Sequence, residues 1–313
     1  MTSRARARQA GLVRAAAMIL AAGLGSRLRP LSDELAKPLV PVGDEPLLAR
    51  VARRFASAGA ERAVVNLYHR PDDFERRAAW PLPLVFSPER ELLGTAGGIA
   101  RARTHFGGRD VIVWNGDIEA EVDLAALERR LVEWGAAAAL AVRLGPAGTG
   151  AVGIGASGNV VRLRDARRGG EGDNGEAFGA TFVGVSALGA PLVASLPERG
   201  CLVGDALMPL LIAGATIAAL VYEGPFFDVG SPEGYLDANL AWLDRRGGGS
   251  FVGPGASVAS GVELARCVLG AGAVVEGEGE LRACVLWPGA RVRAPLEHAI
   301  VSAGGLRLRA RGA

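Results

Sequence analysis

The stretch Ala17-Met18-Ile19-Leu20-Ala21-Ala22-Gly23-Leu24-Gly25-Ser26-Arg27 joins an apolar run to a glycine-rich turn that ends in a cation. A short apolar run followed by glycine is typical of a strand buried in a parallel sheet. The bare backbone amides of such a turn can wrap phosphate groups. The stretch therefore predicts the first strand of an α/β sheet, followed by a phosphate-binding turn.

A second cation follows at Lys37, the single lysine among 313 residues that include 35 Lys and Arg together. An ammonium acts as a mobile point charge on phosphate oxygens, a role that a planar guanidinium does not replace. Two common phosphate motifs are excluded. The dinucleotide fingerprint needs glycine where Leu28 stands, and the chain contains no GxxxxGK[ST] sequence. We therefore expect a nucleotide-phosphate site of another kind.

Composition limits the class of protein. Hydrophobic residues make up 50% of the chain and charged residues 22%, which excludes global disorder. A net charge of +2 gives no electrostatic reason to expect a nucleic-acid partner. No apolar run approaches the ~20 residues of a membrane span. Three widely spaced cysteines without metal spacing predict free thiols and a cytoplasmic protein.

The N-terminus resembles a secretion signal, because four arginines precede an apolar run. That run leads directly into the Gly23–Arg27 turn, so cleavage would destroy the phosphate loop. We therefore predict a disordered basic extension over residues 1–14 and a large α/β domain over 15–246.

The α/β prediction rests on alternating patterns. Strands are predicted at 17–21, 63–67, 84–86, 111–114, 138–142, 160–163, 181–185 and 217–221. Helices are predicted at 47–58, 96–106, 124–134, 206–213 and 232–245, the last ending at a triple-glycine linker. Apolar strands separated by helices predict a Rossmann-like, mixed but mostly parallel sheet with helices on both faces.

Beyond the linker the pattern changes. The segment beginning at Glu263 repeats seventeen residues later at Glu280, and Val252, Val258 and Leu264 recur every six residues among small residues. Such repeats build stacked coils, so we predict a short left-handed parallel β-helix of hexapeptide repeats over 250–305. The alternative is a β-rich tail of no fixed type.

Two aspartates stand out as metal ligands. Asp117 follows the apolar run 111–114, which places it at the carboxyl end of a strand, where open α/β sheets hold their chemistry. Asp228 lies among apolar residues before a tight turn, where a carboxylate is costly unless it is paired or binds a metal. Either could simply cap a turn. Together they suit Mg²⁺, which takes one or two carboxylates and fills its remaining positions with phosphate oxygens and water.

Four motifs in order resemble those of the sugar-phosphate nucleotidyltransferases, the NDP-sugar pyrophosphorylases, which include mannose-1-phosphate guanylyltransferases and N-acetylmuramate-1-phosphate uridylyltransferases. They are Ala21-Ala22-Gly23-Leu24-Gly25-Ser26-Arg27-Leu28-Arg29-Pro30-Leu31, Lys37-Pro38, Asn115-Gly116-Asp117 and Asp228-Val229-Gly230-Ser231-Pro232-Glu233. The resemblance covers residues 16–245, and the tail is similar to that appended to many members.

The resemblance implies a transfer of a nucleoside monophosphate from an NTP to a sugar-1-phosphate. Arg27, Lys37 and Asp117 would be catalytic, and Asp117 and Asp228 would hold Mg²⁺. The nucleotide-binding residues would be Ala22, Gly23, Gly25, Ser26, Arg27, Lys37, Glu89, Gly94 and Thr95. The sugar phosphate would meet Asn115, Gly150 and Thr181.

The segment from Ser87 to Gly98 resembles the part of the family that reads the base. A carboxylate at Glu89 accepts hydrogen bonds, so it favours the N–H edge of guanine, uracil or thymine and predicts GTP, UTP or dTTP. Glu91 is a rival for this role, and either acid could be a solvated loop residue.

The sugar stays open at this point. Many members grip the sugar phosphate with a second lysine, which this chain lacks; an arginine between Arg162 and Arg168 could replace it, or that run could be a solvated loop. Asn66–His69 and Thr181–Gly184 resemble the muramate enzymes, whereas the tail resembles the guanylyltransferases. The rival function is a non-catalytic regulatory subunit, which should have lost one of the four charged residues. A homo-oligomer is predicted through the tail.

Overall fold

The computed structural model describes residues 13–75, 79–170 and 175–310. The predicted extension falls mostly on residues 1–12, outside the described part. Val13 is buried and its amide donates to the Ala58 carbonyl at 3.0 Å, while the Arg14 amide donates to the Glu128 carboxylate at 2.9 Å. These two residues therefore lie against the domain, ahead of the first strand.

The strands and helices of the α/β domain lie between Ala16 and Arg245. The strands are β1 Ala16–Leu20, β2 Pro41–Val42, β3 Glu45–Pro46, β4 Ala63–Leu67, β5 Leu84–Pro88, β6 Val111–Asn115, β7 Ile118–Glu119, β8 Ala138–Gly145, β9 Val152–Gly155, β10 Val160–Leu163, β11 Ala166–Arg167, β12 Glu176–Leu188, β13 Ile217–Val221 and β14 Phe227–Asp228. The α-helices are α1 Leu31–Glu34, α2 Leu47–Ser57, α3 Asp72–Glu75, α4 Gly94–Ala102, α5 Leu124–Glu133, α6 Ala190–Ser195, α7 Met208–Ile212 and α8 Pro232–Arg245. Short 3₁₀ turns occupy Ser26–Leu28, Lys37–Leu39 and Arg103–His105, and a π-helix occupies Leu202–Leu207.

The central sheet is mixed, as predicted. Its order is β11-β10-β9-β12-β6-β1-β4-β5, and β12 also pairs with β8, which pairs with β13. The run β6-β1-β4-β5 is parallel, and β12 joins β6 antiparallel. The carboxyl ends of β1, β4 and β6 therefore meet at one edge of the sheet, which is the edge predicted to carry the chemistry.

Helices cover both faces of the sheet. Along β1, Ala17 and Ile19 belong to the apolar core that includes α2 and α5, while Ala16 and Met18 belong to the core beneath α4, α6 and α7. Alternate residues of a strand point to opposite faces, so a strand that is apolar throughout must be covered on both. This explains why β1 carries no polar residue.

Most predicted elements are present with small boundary shifts. Three strands, β4, β10 and β13, have the predicted bounds, and α8 has them as well. The strand predicted at 181–185 extends over all of Glu176–Leu188, and the helix predicted at 206–213 is split between the π-helix and α7. The sequence reasoning missed β9 and the two-residue strands.

The tail has stacked parallel strands. They are β15 Phe251–Val252, β16 Ser257–Val258, β17 Val262–Ala265, β18 Val268–Leu269, β19 Val274–Arg282, β20 Val285–Leu286, β21 Arg291–Glu297, β22 Ala299–Val301 and β23 Arg307–Arg309. Glu263 pairs with Glu280 and Val268 with Val285, which confirms the predicted offset of seventeen residues. The last strand, β23, turns back antiparallel to β22.

The tail shares an apolar core with the domain. One buried cluster joins Leu28 and Leu31 near the glycine-rich turn, Tyr235 on α8, and Trp287 and Ile300 of the tail. The tail is therefore packed against the domain through buried side chains. In the described part of the chain, no helix combines the length and apolar character needed to cross a membrane.

Candidate functional site

A cavity of about 210 Å³ opens at the carboxyl edge of the sheet. It receives residues from the ends of β1, β4 and β6, from the loop that carries Lys37, and from the start of α4. The lining residues are Leu20, Ala21, Ala22, Gly23, Lys37, Pro38, Asn66, Glu89, Leu92, Gly94, Thr95, Asn115 and Asp117. Eight of the residues predicted for the site are in this set, namely Ala22, Gly23, Lys37, Glu89, Gly94, Thr95, Asn115 and Asp117.

The glycine-rich turn needs glycine at Gly25. Its φ is 66°, and a Cβ there would lie 2.9 Å from the Ser32 Cβ, so both the backbone and the space exclude a side chain. Ser32 donates its hydroxyl to the Gly25 carbonyl at 2.9 Å, which holds the turn against α1. A Cβ on Gly23, in contrast, would meet open space. Gly25 shapes the turn, whereas Gly23 lines the cavity with open space beside its Cα.

Lys37 lies on a 3₁₀ turn and reaches across the cavity to Asp117. Its Nζ is 2.5 Å from Asp117 Oδ2, and the two side chains are 13% and 23% exposed. Asp117 is held at the end of β6 because the Gly116 amide donates to the Leu20 carbonyl at 2.8 Å. The predicted catalytic lysine and the predicted metal-binding aspartate therefore form one half-buried ion pair.

Arg27 pairs with the second aspartate. Arg27 Nη2 is 2.9 Å from Asp228 Oδ2, and these side chains are 62% and 42% exposed. A ladder of only two residues, β7 with β14, places Asp228 opposite Ile118, and the Val229 amide donates to the Asp117 carbonyl at 2.9 Å. Two aspartates 111 positions apart in the chain are thereby brought to the same edge of the cavity.

Gly230 marks the point where these groups converge. A Cβ at this residue would lie 2.6 Å from Asp228 Oδ1, 2.7 Å from Arg27 Nη2 and 3.1 Å from Lys37 Nζ. The Gly230 amide also donates to Asp228 Oδ1 at 2.8 Å. Three of the four predicted charged residues thus surround a position where an added Cβ would displace at least one of them.

The buried carboxylate of Glu119 fixes the position of β7, the strand on which it lies. Glu119 is 3% exposed and accepts from Arg50 at 2.8 and 3.1 Å and from Arg245 at 3.4 Å. Burial lowers the pKa of Arg50, but its hydrogen bonds and attraction to Glu119 outweigh burial, so the pKa of Arg50 is raised. Removal of one partner from such a pair leaves an uncompensated buried charge. The ion pairs therefore hold β7, the strand that begins directly after Asp117, in position.

At the opposite end of the cavity, Glu89 is 8% exposed. Its two carboxylate oxygens accept from Asn66 Nδ2 at 2.7 Å and from the Leu93 amide at 3.1 Å. Asn66 in turn accepts from the Ala21 amide at 2.9 Å. A Cβ on Gly98 would lie 2.6 Å from Asn66 Nδ2, so this glycine gives the pair its space. The rival acid Glu91 instead forms an exposed ion pair with Arg199.

The start of α4 is bonded to a distant loop. The Ala96 amide donates to the Gly200 carbonyl at 2.9 Å, and Thr95 Oγ1 accepts from the Leu202 amide at 2.7 Å. A Cβ at Gly94, whose φ is 75°, would overlap the Gly200 carbonyl. Gly94 and Thr95 therefore line the cavity and also anchor the loop that leads into the π-helix.

Only one of the three residues predicted to contact the sugar phosphate lines the cavity. Asn115 lines the cavity, whereas Gly150 and Thr181 lie beside each other outside its lining, with the Thr181 amide 3.4 Å from a Cβ placed on Gly150. Gly25, Ser26, Arg27 and Asp228 also lie outside the lining. Arg162 forms two hydrogen bonds with Glu176, at 2.8 and 2.9 Å, so its guanidinium already has a carboxylate partner. The ion pair of Arg162 with Glu176 joins β10 to β12, outside the cavity.

Sequence reasoning did not assign two residues of the site. Asn66 was noted as part of a family stretch, but its bonds to Ala21 and Glu89 join strands that are distant in sequence. Gly230 has no positive φ to mark it. Its position directly after Asp228-Val229 was the one available signal.

The known proteins that are similar to this chain are named as nucleotidyl, uridylyl or guanylyl transferases. A family model described as nucleotidyl transferase matches residues 16–164. N-acetylmuramate alpha-1-phosphate uridylyltransferase of Caulobacter vibrioides is 33% identical over 241 residues, which cover 71% of this chain and 94% of that protein. Mannose-1-phosphate guanylyltransferase of Mycobacterium tuberculosis is 35% identical over 115 residues, which cover 36% of this chain and 32% of that protein.

A rice relative and a solved structure extend the comparison. Probable mannose-1-phosphate guanylyltransferase 3 of Oryza sativa subsp. japonica is 27% identical over 298 residues, 81% of this chain and 80% of that protein. The crystal structure of HddC from Yersinia pseudotuberculosis has a TM-score of 0.58 at 23% identity, covering 73% of this chain and 99% of that chain. This last likeness concerns the fold.

Proposed function

Because the chain belongs to the nucleotidyl transferase family, we propose that it transfers a nucleoside monophosphate from an NTP to a sugar-1-phosphate. The products are an NDP-sugar and pyrophosphate. The observation that carries this proposal is the convergence of Lys37, Arg27 and Asp228 around Gly230, beside the ion pair of Lys37 with Asp117.

The chemistry needs charge neutralisation and positioning. An oxygen of the sugar-1-phosphate attacks the α-phosphorus in line, the bond to the β-phosphate oxygen breaks, and pyrophosphate leaves. Lys37, with three N–H donors, can keep its bond to Asp117 and still donate to an α-phosphate oxygen. Arg27, which is 62% exposed, is free to turn toward the β- and γ-phosphates. These cations stabilise charge that grows in the transition state.

Asp117 and Asp228 are proposed to hold a divalent ion, Mg²⁺ in our assignment. Asp228 Oδ1 and Lys37 Nζ, which bonds Asp117, both lie near Gly230, so the two carboxylates are close together, and hard oxygen donors suit this ion. Among the described residues, no group of three or more His, Cys, Asp or Glu side chains forms a metal cluster. Two carboxylates fit an ion that completes its shell with phosphate and water. When bound, it would neutralise phosphate charge.

Glu89 is proposed to select the base. Each of its oxygens accepts one hydrogen bond within the protein, and a carboxylate oxygen has a second lone pair for a ligand. An acceptor at this position favours an N–H edge, as in guanine, uracil and thymine. The backbone amides from Ala22 to Ser26 are proposed to hold the phosphates, with Gly94 and Thr95 at the other side of the nucleotide.

The relatives of this chain are named for activity on two different sugar phosphates. We propose GTP with mannose-1-phosphate or UTP with N-acetylmuramate-1-phosphate as the leading pairs, because relatives named for both activities match this chain. Asn115 is the cavity residue proposed to meet the sugar phosphate. For Gly150 and Thr181, this role requires that the sugar extend beyond the present cavity lining.

The tail is proposed to be a left-handed parallel β-helix. Parallel ladders at a seventeen-residue offset and six-residue recurrences support this assignment. A homo-oligomer formed through the tail stays a prediction, for which light scattering is the measurement. The cytoplasmic location also stays a prediction; it rests on the free thiols of Cys201, Cys267 and Cys284.

The test is pyrophosphate release with Mg²⁺, using five NTPs against a panel of sugar-1-phosphates. A strong signal from one pair identifies the substrates, and the Asp117→Asn variant gives the background rate. The competing assignment, a non-catalytic regulatory subunit, predicts no release from folded protein while NTP binding persists. That result would overturn the proposed transfer.

A further inference from the structure

The segment between the two cations is bonded to the tail. Residues 28–36 connect Arg27 with Lys37, and α1 lies in their middle. Glu34, the last residue of α1, accepts from the Ser302 hydroxyl at 2.8 Å with one carboxylate oxygen and from the Gly304 amide at 3.3 Å with the other. Two donors from the end of the chain therefore hold a carboxylate three residues before Lys37.

The tail turn is shaped for this contact. Ser302 is fully buried, its amide donates to the Leu306 carbonyl at 3.0 Å, and its hydroxyl accepts from the Leu306 amide at 3.1 Å. These bonds close the turn between β22 and β23 and fix the direction of the hydroxyl. A Cβ on Gly304 would overlap the Glu34 carboxylate, so a side chain at this position would displace the carboxylate from its two donors.

A second contact holds the other side of Lys37. Tyr235, fully buried on α8, donates its hydroxyl to the Pro41 carbonyl at 2.5 Å and accepts from Trp287 Nε1 at 2.9 Å. Burial raises the pKa of Tyr235, so its hydroxyl keeps the proton that it donates. Pro41 follows the 3₁₀ turn that begins at Lys37. The tail thus contacts the segment before Lys37 directly, at Glu34. It contacts the segment after Lys37 through Tyr235, which bonds both Trp287 and Pro41.

The domain supplies the opposite support. The Ala36 amide donates to Asp73 Oδ2 at 3.1 Å, and the His69 ring is 3.1 Å from the Ser32 carbonyl. These groups come from the segment after β4 and hold one side of residues 28–36. The tail holds another side through Glu34, so removal of either support leaves the segment with fewer hydrogen bonds to fix its position.

We propose that Ser302 and Gly304 are positioning residues for the transfer reaction, acting through Glu34 on the placement of Lys37 and Arg27. This inference rests on the proposed function, because it concerns how that site is aligned. Small displacements of a reacting group are costly for catalysis even when substrate still binds. The tail is thereby part of the catalytic apparatus.

The experiment compares Ser302→Ala, Glu34→Ala and Glu34→Gln with the wild-type chain. Ser257→Ala is the matched control, because Ser257 is an exposed tail residue on β16, distant in sequence from the 302–306 turn. Four quantities are measured for each variant: kcat and KM for pyrophosphate release, the melting temperature, and amide hydrogen exchange in peptides covering residues 28–40.

We expect Ser302→Ala and Glu34→Ala to lower kcat about tenfold and to speed exchange in residues 28–40, as a displaced group would. Glu34→Gln, which retains one acceptor oxygen, should fall between them and the wild type. Ser257→Ala should match the wild type. Unchanged exchange together with wild-type kcat in Ser302→Ala would overturn the inference, as would a loss of activity that only follows the unfolded fraction.

The design separates this inference from the proposed function. If the wild-type chain releases no pyrophosphate with any pair, the transfer proposal fails, and with it the catalytic part of the inference. The exchange data still decide whether the tail fixes residues 28–40. If the wild type is active and Ser302→Ala exchanges and reacts like it, the positioning role fails alone.

Discussion

At one end of the cavity, Glu89 is 8% exposed and both of its oxygens accept hydrogen bonds from the protein. Just beyond the other end, which Lys37 and Asp117 line, the Arg27–Asp228 pair has side chains 62% and 42% exposed. A buried, bonded carboxylate keeps one orientation, whereas an exposed ion pair is worth little and exchanges partners readily. The first end is therefore suited to recognition of a fixed shape, and the second to exchange of charge partners when a triphosphate arrives.

The largest effect on turnover is expected from loss of Lys37, whose ammonium lies near the Arg27–Asp228 pair. Lys37→Ala should lower kcat about 10³-fold, because one preorganised donor to transition-state charge is lost. Lys37→Arg should not restore it, since a planar guanidinium does not replace the ammonium. Pyrophosphate release measures the loss, and circular dichroism checks the fold. Near-normal turnover in Lys37→Ala would remove this residue from the site.

A smaller but specific effect is expected at Gly230. Gly230→Ala should lower kcat about 10²-fold, because the new methyl must displace Asp228, Arg27 or Lys37. Gly189→Ala is the matched control, since a Cβ there would lie 3.4 Å from its nearest neighbour, an ordinary contact. Both variants are compared by turnover and melting temperature. Equal activity of the two would show that the charged groups tolerate displacement.

The Glu89→Gln variant tests whether the end of the cavity that contains Glu89 recognises the base. The amide group presents a donor where the carboxylate had an acceptor, so it conflicts with Asn66 or Leu93 on one side and with a base N–H on the other. We expect KM for the preferred NTP to rise about tenfold, as for an unsatisfied buried group. Steady-state kinetics with five NTPs is the measurement. A changed kcat with unchanged base preference would contradict the division between the two ends.

The smallest effect on turnover is expected from an ion pair outside the cavity. The hydrogen bond from Arg162 lowers the pKa of Glu176. A lowered folded-state pKa stabilises the protein above the ordinary glutamate pKa, near 4.3, and this contribution fades as pH falls toward the folded-state pKa. Arg162→Ala should therefore melt lower than wild type at neutral pH, with a gap that narrows in acid. Turnover per folded molecule should fall less than in the other variants, because Arg162 lies outside the cavity lining and contacts the proposed sugar site only through its bond to the Gly150 carbonyl at 3.1 Å.

The sequence alone predicted the local parts of this molecule well. The strand before Gly23, the placement of Asp117 at a strand end and the seventeen-residue offset of the tail follow from patterns within short windows. The β7–β14 ladder was missed because two residues carry no periodicity. The Glu34–Ser302 contact was missed because its partners are 268 residues apart and each has an ordinary local role.

The apolar core shared by the two parts of the chain has a consequence for biosynthesis. Leu28 and Leu31 emerge from the ribosome well before their partners Trp287 and Ile300, which follow about 260 positions later in the chain. At ordinary elongation rates the nascent chain must keep this apolar surface uncovered for roughly 10 to 50 seconds. A chaperone that binds exposed apolar segments would find a temporary client in the nascent chain, and that client would be released when the last coil docks.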